Sequence, residues 1–225
     1  MAKTFADRVA RFEEFAEKGW LVQGEWRGER DGHEIACAIG AMYNVESVDA
    51  CPADDMPDWL KHLTVTLFDG LPSGENIEAQ RAINAQVLRI GANVEAWARI
   101  EVRFKIACVK RAISAVEPVA KDKDYWPAVT RAAQQVCDAL EGKDNLAAAR
   151  AAAARAAAEA AGAAAWAAWA AAEAARAAAA EAAGAAAWAA WAAAEAAWAA
   201  AYRDLHADLI AAMQAEPQSD ALHAI

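Results

Sequence analysis

From Glu159 the chain writes one block of alanine, glycine, tryptophan and glutamate and then repeats it almost letter for letter, Glu159–Ala180 followed by Glu181–Tyr202, a period of 22 residues. Twenty-two is two elevens, and an 11-residue repeat corresponds to about 3.67 residues per turn, which keeps one face almost aligned along a straight or slightly right-handed helix. At about 100° per residue, Arg155, Glu159, Gly162, Trp166, Trp169, Glu173, Arg176, Glu181, Gly184, Trp188, Trp191, Glu195, Trp198, Tyr202 and Leu209 share one face. The rest of the repeat is alanine, which has the highest helix propensity and loses no side-chain entropy, so the segment is helical before it packs against anything. Each copy spans about 33 Å at 1.5 Å per residue. The element is therefore a projecting arm, a partner in an oligomer, or a hairpin bent near Gly162 and Gly184, where glycine permits a bend at a cost of about 1 kcal/mol. The expected fold is mainly α: an N-terminal helical domain over 1–142 with a small β or irregular segment near 20–43, a long alanine-rich helix or helical hairpin over 143–216, and a tail over 217–225.

Charge narrows the function classes. Lys plus Arg number 22 against 32 Asp plus Glu, a net charge of −10, so no broad surface neutralises phosphates and general nucleic-acid binding is not expected. The segment after Met1 has no apolar stretch of the secretory kind, and the alanine region is too weakly hydrophobic and too often broken by Glu and Arg to span a bilayer. A cytoplasmic, non-membrane protein is expected. Cys37, Cys51, Cys108 and Cys137 lie far apart without a C-x-x-C pair, which fits reduced thiols.

Along the first 142 residues, Phe5, Val9, Phe12 and Ala16 recur at helical spacing behind a Thr4 cap with Asp7 three residues on, and Gly19 ends that helix. The polar stretch Gly28–Gly32 is a turn, and His33–Tyr43 is a strand or a short buried helix. Pro52 and Pro57 punctuate a loop whose Asp54, Asp55 and Asp58 suit a helix N-terminus, with Trp59, Leu60, Leu63 and Leu67 as core face. Further helices are expected over about Ile77–Ile90, Val94–Val116 and Tyr125–Leu140, the last closed by Gly142. Asp144 then caps the alanine segment after so short a connection that the two helices pair antiparallel.

The Trp stripe has three readings. It packs helix on helix, with alanine flanks allowing close approach; it walls a ligand site, indoles stacking on flat groups and Arg clamping an anion; or it docks a protein, for which Trp and Arg are favoured anchors. A second candidate is the cluster Arg99, Arg103 and Lys110, on the side of its helix opposite Trp97, Ile100, Phe104 and Cys108, where Arg suits phosphate capture. His33/Cys37 and Asp58/His62 have a four-residue spacing but lack the doubled short spacing of a zinc site, so no metal is expected. No P-loop, dinucleotide fingerprint, nucleophile elbow or H-E-x-x-H is present, and neither an enzyme nor a cofactor is expected.

The run Gly19-Trp20 … Gly24-x-Trp26 … Cys37-Ala38-Ile39-Gly40-Ala41 … Cys51-Pro52-Ala53 … Met56-Pro57-x-Trp59-Leu60 … Asp69-Gly70-Leu71-Pro72, followed by the alanine-rich tail, resembles uncharacterised helical proteins of bacteriophages and prophages. The tail is similar to the alanine-rich domains of immunity proteins of polymorphic toxin systems. The resemblance implies a role in conflict between phage and bacterium. Joined to the stripe, it leads to the expectation of a non-enzymatic protein that sequesters a small nucleotide-type signalling ligand through Trp166, Trp169, Trp188, Trp191, Trp198, Arg176 and Arg99 or Arg103. The alternatives are an inhibitor that neutralises a protein toxin or nuclease, for which an acidic chain suits a basic partner, and an architectural homo-oligomer built on the alanine helix.

Overall fold

The computed structural model describes residues 3–52, 56–142 and 183–217, and between 183 and 195 the backbone alone. Most of the alanine segment, including the first repeat, the Asp144 cap and the expected antiparallel connection, lies outside the described residues, as do Asp54, Asp55 and the tail from 218. The described residues are mainly helical, with seven helices and one small antiparallel sheet, and they fall into two compact units: residues up to 100 together with those from 196 on, and residues 101–195.

In the first unit α1 (Phe5–Glu17) starts at a capping box. The Thr4 hydroxyl accepts from the Asp7 N–H at 3.2 Å, and the Asp7 carboxylate accepts from the Thr4 N–H at 2.8 Å. These bonds to Thr4 hold the Asp7 carboxyl below its ordinary range. The helix ends where Gly19 takes φ +68°. The polar stretch is the tip of a hairpin, β1 (Arg27–Arg30) paired with β2 (His33–Ala36), closed by Asp31 and Gly32 at φ +54° and +75°. Two successive positive φ values are what a two-residue hairpin turn needs, and Asp-Gly supplies them cheaply. His33–Tyr43 turns out to be strand then helix. Cys37 separates the two as N-cap of α2 (Ala38–Tyr43), its sulfur accepting from the Gly40 N–H at 3.4 Å, and every residue of α2 is buried.

A short 3-10 turn (Val48–Ala50) leads to α3 (Asp58–Gly70), followed by α4 (Glu75–Ile90) and the start of α5 (Val94–Ala120). The buried face of α3 is Leu60, Lys61, Thr64, Leu67 and Phe68, whereas Trp59 and Leu63 are only partly buried. Lys61 is tolerated inside because its ammonium donates to the Pro52 carbonyl at 2.9 Å and pairs with Asp58 at 3.2 Å. Trp97, at the start of α5, meets Trp59 edge to face and donates its indole N–H to the Gly91 carbonyl at 2.8 Å.

The last helix, α7 (Ala183–Gln214), completes this unit with its C-terminal half. Contacts step along α4 in the same direction as the chain: Arg203 meets Glu75, His206 meets the Ala79 carbonyl, and Arg89 reaches the carbonyls of Met213 and Glu216. That half of α7 therefore runs parallel to α4, with Leu209, Ala212 and Met213 buried. Gly70 receives the Tyr202 ring, since a Cβ there would lie 2.3 Å from the ring carbons. In the second unit α5 continues to Ala120 and α6 (Trp126–Leu140) follows, with Pro127 in its first turn and Gly142 at φ +75° beyond its end.

Candidate functional site

The repeat face can be followed on α7 from Trp198 to Leu209. These residues are eleven apart and within about 20° of each other around the helix, roughly 16 Å along it. Trp198 is 66% exposed, Tyr202 is half-buried against Gly70, and Leu209 is 0% exposed. One aligned face thus passes from solvent into a core within three turns. Ala196, Ala197, Ala200 and Ala201 around Trp198 are exposed too. Trp166, Trp169 and Arg176 lie outside the described residues. Trp188 and Trp191 lie on α7 where the backbone alone is described.

Arg99 is committed. Its Nε donates to Glu216 Oε1 at 3.1 Å, its Nη2 donates to the same oxygen, and Glu95 lies 3.9 Å from Nη1. The Arg99 side chain is 50% exposed and that of Glu216 only 2%, and the bonds that Arg99 donates to Glu216 raise the guanidinium pKa. Arg89, steadied by Gln86 at 2.9 Å, donates to the main-chain carbonyls of Met213 and Glu216, capping the carbonyl end of α7 with a cation as the helix dipole favours. This corner is a clasp on the C-terminal end of α7, and the expected phosphate-capturing Arg99 serves within it. Arg103, in the second unit, is half-buried. Lys110 is exposed and lines a groove of about 380 Å³ between α5 and α6 with Ser114, Thr130, Gln134 and Cys137. Burial pushes the Cys137 thiol up against the lowering effect of Lys110.

A second groove, of about 440 Å³, opens in the first unit between the corner before α4 and the side of α7, lined by Leu71, Gly74, Glu75, Glu78, Ala79, Arg203 and His206. Glu75 and Arg203 form a two-bond fork, Nε to Oε2 at 2.6 Å and Nη2 to Oε1 at 2.9 Å, which holds the Glu75 carboxyl low. Glu78 pairs with Arg81 at 2.6 Å, and Arg81 also binds Glu13. The Ala79 carbonyl can only accept, so the His206 Nε2 at 3.2 Å carries the proton. Burial lowers the pKa of that imidazole, outweighing the bond to Ala79. No local pattern announces this groove, because Glu75 and Arg203 are separated by 128 residues.

His33 and Cys37 do not converge on a ligand position. The imidazole of His33 stacks on Trp20 at 5.3 Å, with Lys18 over the same indole at 4.3 Å, while the Cys37 thiol caps α2. No described helix is long and apolar enough to cross a membrane. No family model, curated protein or solved structure matches the chain.

Proposed function

We propose that the chain is a non-enzymatic binding protein that holds a small nucleotide-type signalling ligand on the aromatic face of α7, in the phage–bacterium conflict that the resemblance implies. The observation that supports this reading is Trp198, an indole two-thirds exposed among alanines on a helix whose next turns are anchored by Tyr202 and Leu209. A rigid helix presents the ring at little entropic cost, and flat bases stack on such rings at about 1–3 kcal/mol each. Arg99 is engaged by Glu216, so the stacking indole carries this reading.

Calorimetry of the full chain against a panel of cyclic and linear signalling nucleotides tests it. The expected result is saturable binding, recovery of the nucleotide unaltered, and about tenfold or greater weakening in Trp198→Ala. Absence of heat with every nucleotide refutes the reading. A second reading, an inhibitor that docks a basic toxin or nuclease, is favoured by the Arg99–Glu216 pairing, which withdraws a cation from the candidate anion site, and by the net charge of −10. Stoichiometric capture of a basic protein, abolished by Trp198→Ala and weakened by salt, selects it over the first.

A further inference from the structure

We propose that the groove beside Arg203 is a binding site for a small oxyanion, a carboxylate or phosphate head carried on a short apolar body. The inference is independent of the Trp198 face. Its basis is what the Glu75–Arg203 fork leaves over. A guanidinium carries five N–H donors, and Glu75 uses one on Nε and one on Nη2. Among the described residues none takes the other three, which belong to Nη1 and Nη2 at the end of the fork. That end has the spacing of two oxygens of a carboxylate or phosphate. Glu75 has already fixed the rotamer, so a ligand binding end-on meets a guanidinium whose freedom is already spent.

The rest of the lining suits such a ligand. Leu71 and Ala79 are buried apolar residues at the groove wall. Gly74 has no atom within 4 Å of where a Cβ would stand, which leaves room against its backbone. Glu75 and Glu78 both line the groove; Glu75 is matched by Arg203, while Glu78 shares Arg81 with Glu13, so the fork end of Arg203 is where an incoming anion meets a cation. With its Nε2 proton given to Ala79, His206 keeps Nδ1 as an acceptor, fit for a hydroxyl on the ligand body or on a protonated phosphate.

The test is a chemical-shift titration of the isotope-labelled full chain with inorganic phosphate, phenyl phosphate and benzoate. Saturating shifts at Gly74, Glu75, Ala79 and the His206 ring are expected, with phenyl phosphate or benzoate binding more tightly than phosphate alone. Comparison of those two identifies the head. Arg203→Lys retains a cation for Glu75 but lacks the fork, and is expected to weaken binding about tenfold or more while the melting midpoint stays close to wild type. No saturation with any probe, shifts away from these residues, or binding indifferent to both Arg203→Lys and Arg203→Gln overturns the proposal.

Discussion

Two truncations on one helical face separate what that face does. Leu209→Ala removes three carbon groups from a side chain that is 0% exposed. At about 0.8 kcal/mol for each, the transfer term is about 2.4 kcal/mol, and a cavity that closes only in part brings the loss to about 3–4 kcal/mol. Trp198→Ala acts on an indole 66% exposed. It forfeits little burial and gains a few tenths of a kcal/mol of helix propensity, for a net change within about 0.5 kcal/mol of zero. For a unit of this size each kcal/mol moves the melting midpoint by roughly 4 °C, so Leu209→Ala should melt about 12–16 °C early and Trp198→Ala within 2 °C of wild type. Urea and thermal unfolding followed by far-ultraviolet circular dichroism are the assays, since ten tryptophans make fluorescence hard to assign. With two compact units present, the comparison is made on the transition that Leu209→Ala moves. If the two variants lose stability to within 1 kcal/mol of each other, the passage of the face from solvent into core is wrong.

The other perturbations act on the scaffold. Gly40→Ala would set a Cβ 1.8 Å from the Trp26 carbonyl oxygen; backbone cannot swing aside, so a loss of about 3 kcal/mol is expected in denaturant titration, and a neutral result would refute the close approach. Glu216→Gln removes the buried charge facing Arg99, and amide exchange over residues 210–216 should quicken roughly tenfold as the end of α7 frays, with α1 unaffected. His206 has its pKa depressed by burial. Its share of stability is therefore complete above the ordinary histidine value of about 6.5 and is lost as pH falls through the lower folded value. His206→Gln should flatten that part of the acid limb of a stability–pH profile, and an unchanged limb would show that other groups cause it.

What the sequence made legible was local. Thr4 with Asp7 announces a capping box, glycines 19 and 142 stop helices, and the aligned stripe already held Tyr202 and Leu209 on the face that meets the core. The hairpin was half legible: Asp31-Gly32 is a strong turn signal, but Arg27–Arg30 is exposed throughout and shows no apolar alternation. Lys61 and Thr64 were hidden because their burial depends on the Pro52 carbonyl and on neighbouring helices, not on their own polarity. The pairing of Arg99 was hidden because helical angle says which face it occupies and nothing about Glu216, 117 residues later. The Arg203 groove was hidden for the same reason. Ion pairs between distant elements follow from tertiary register, which no local period encodes.

Why a protein would keep a tryptophan on such a face follows from the energetics of alanine. Most surface helices need an apolar stripe buried against a neighbour to be stable, because propensity alone leaves a short helix marginal. The alanine-rich backbone of α7 lifts that requirement, and below Trp198 the helix is secured by Tyr202, Leu209, Met213 and the Arg89–Arg99–Glu216 clasp. Trp198, 66% exposed, adds little to that anchoring. Arg176 of the first repeat corresponds to Trp198 in the second, so the two copies carry different chemistry at the same position of the face. The anchoring of α7 is thereby concentrated in the turns from Tyr202 on. Trp198→Ala should therefore leave folding intact, whereas truncation of Leu209 or Met213 should weaken it.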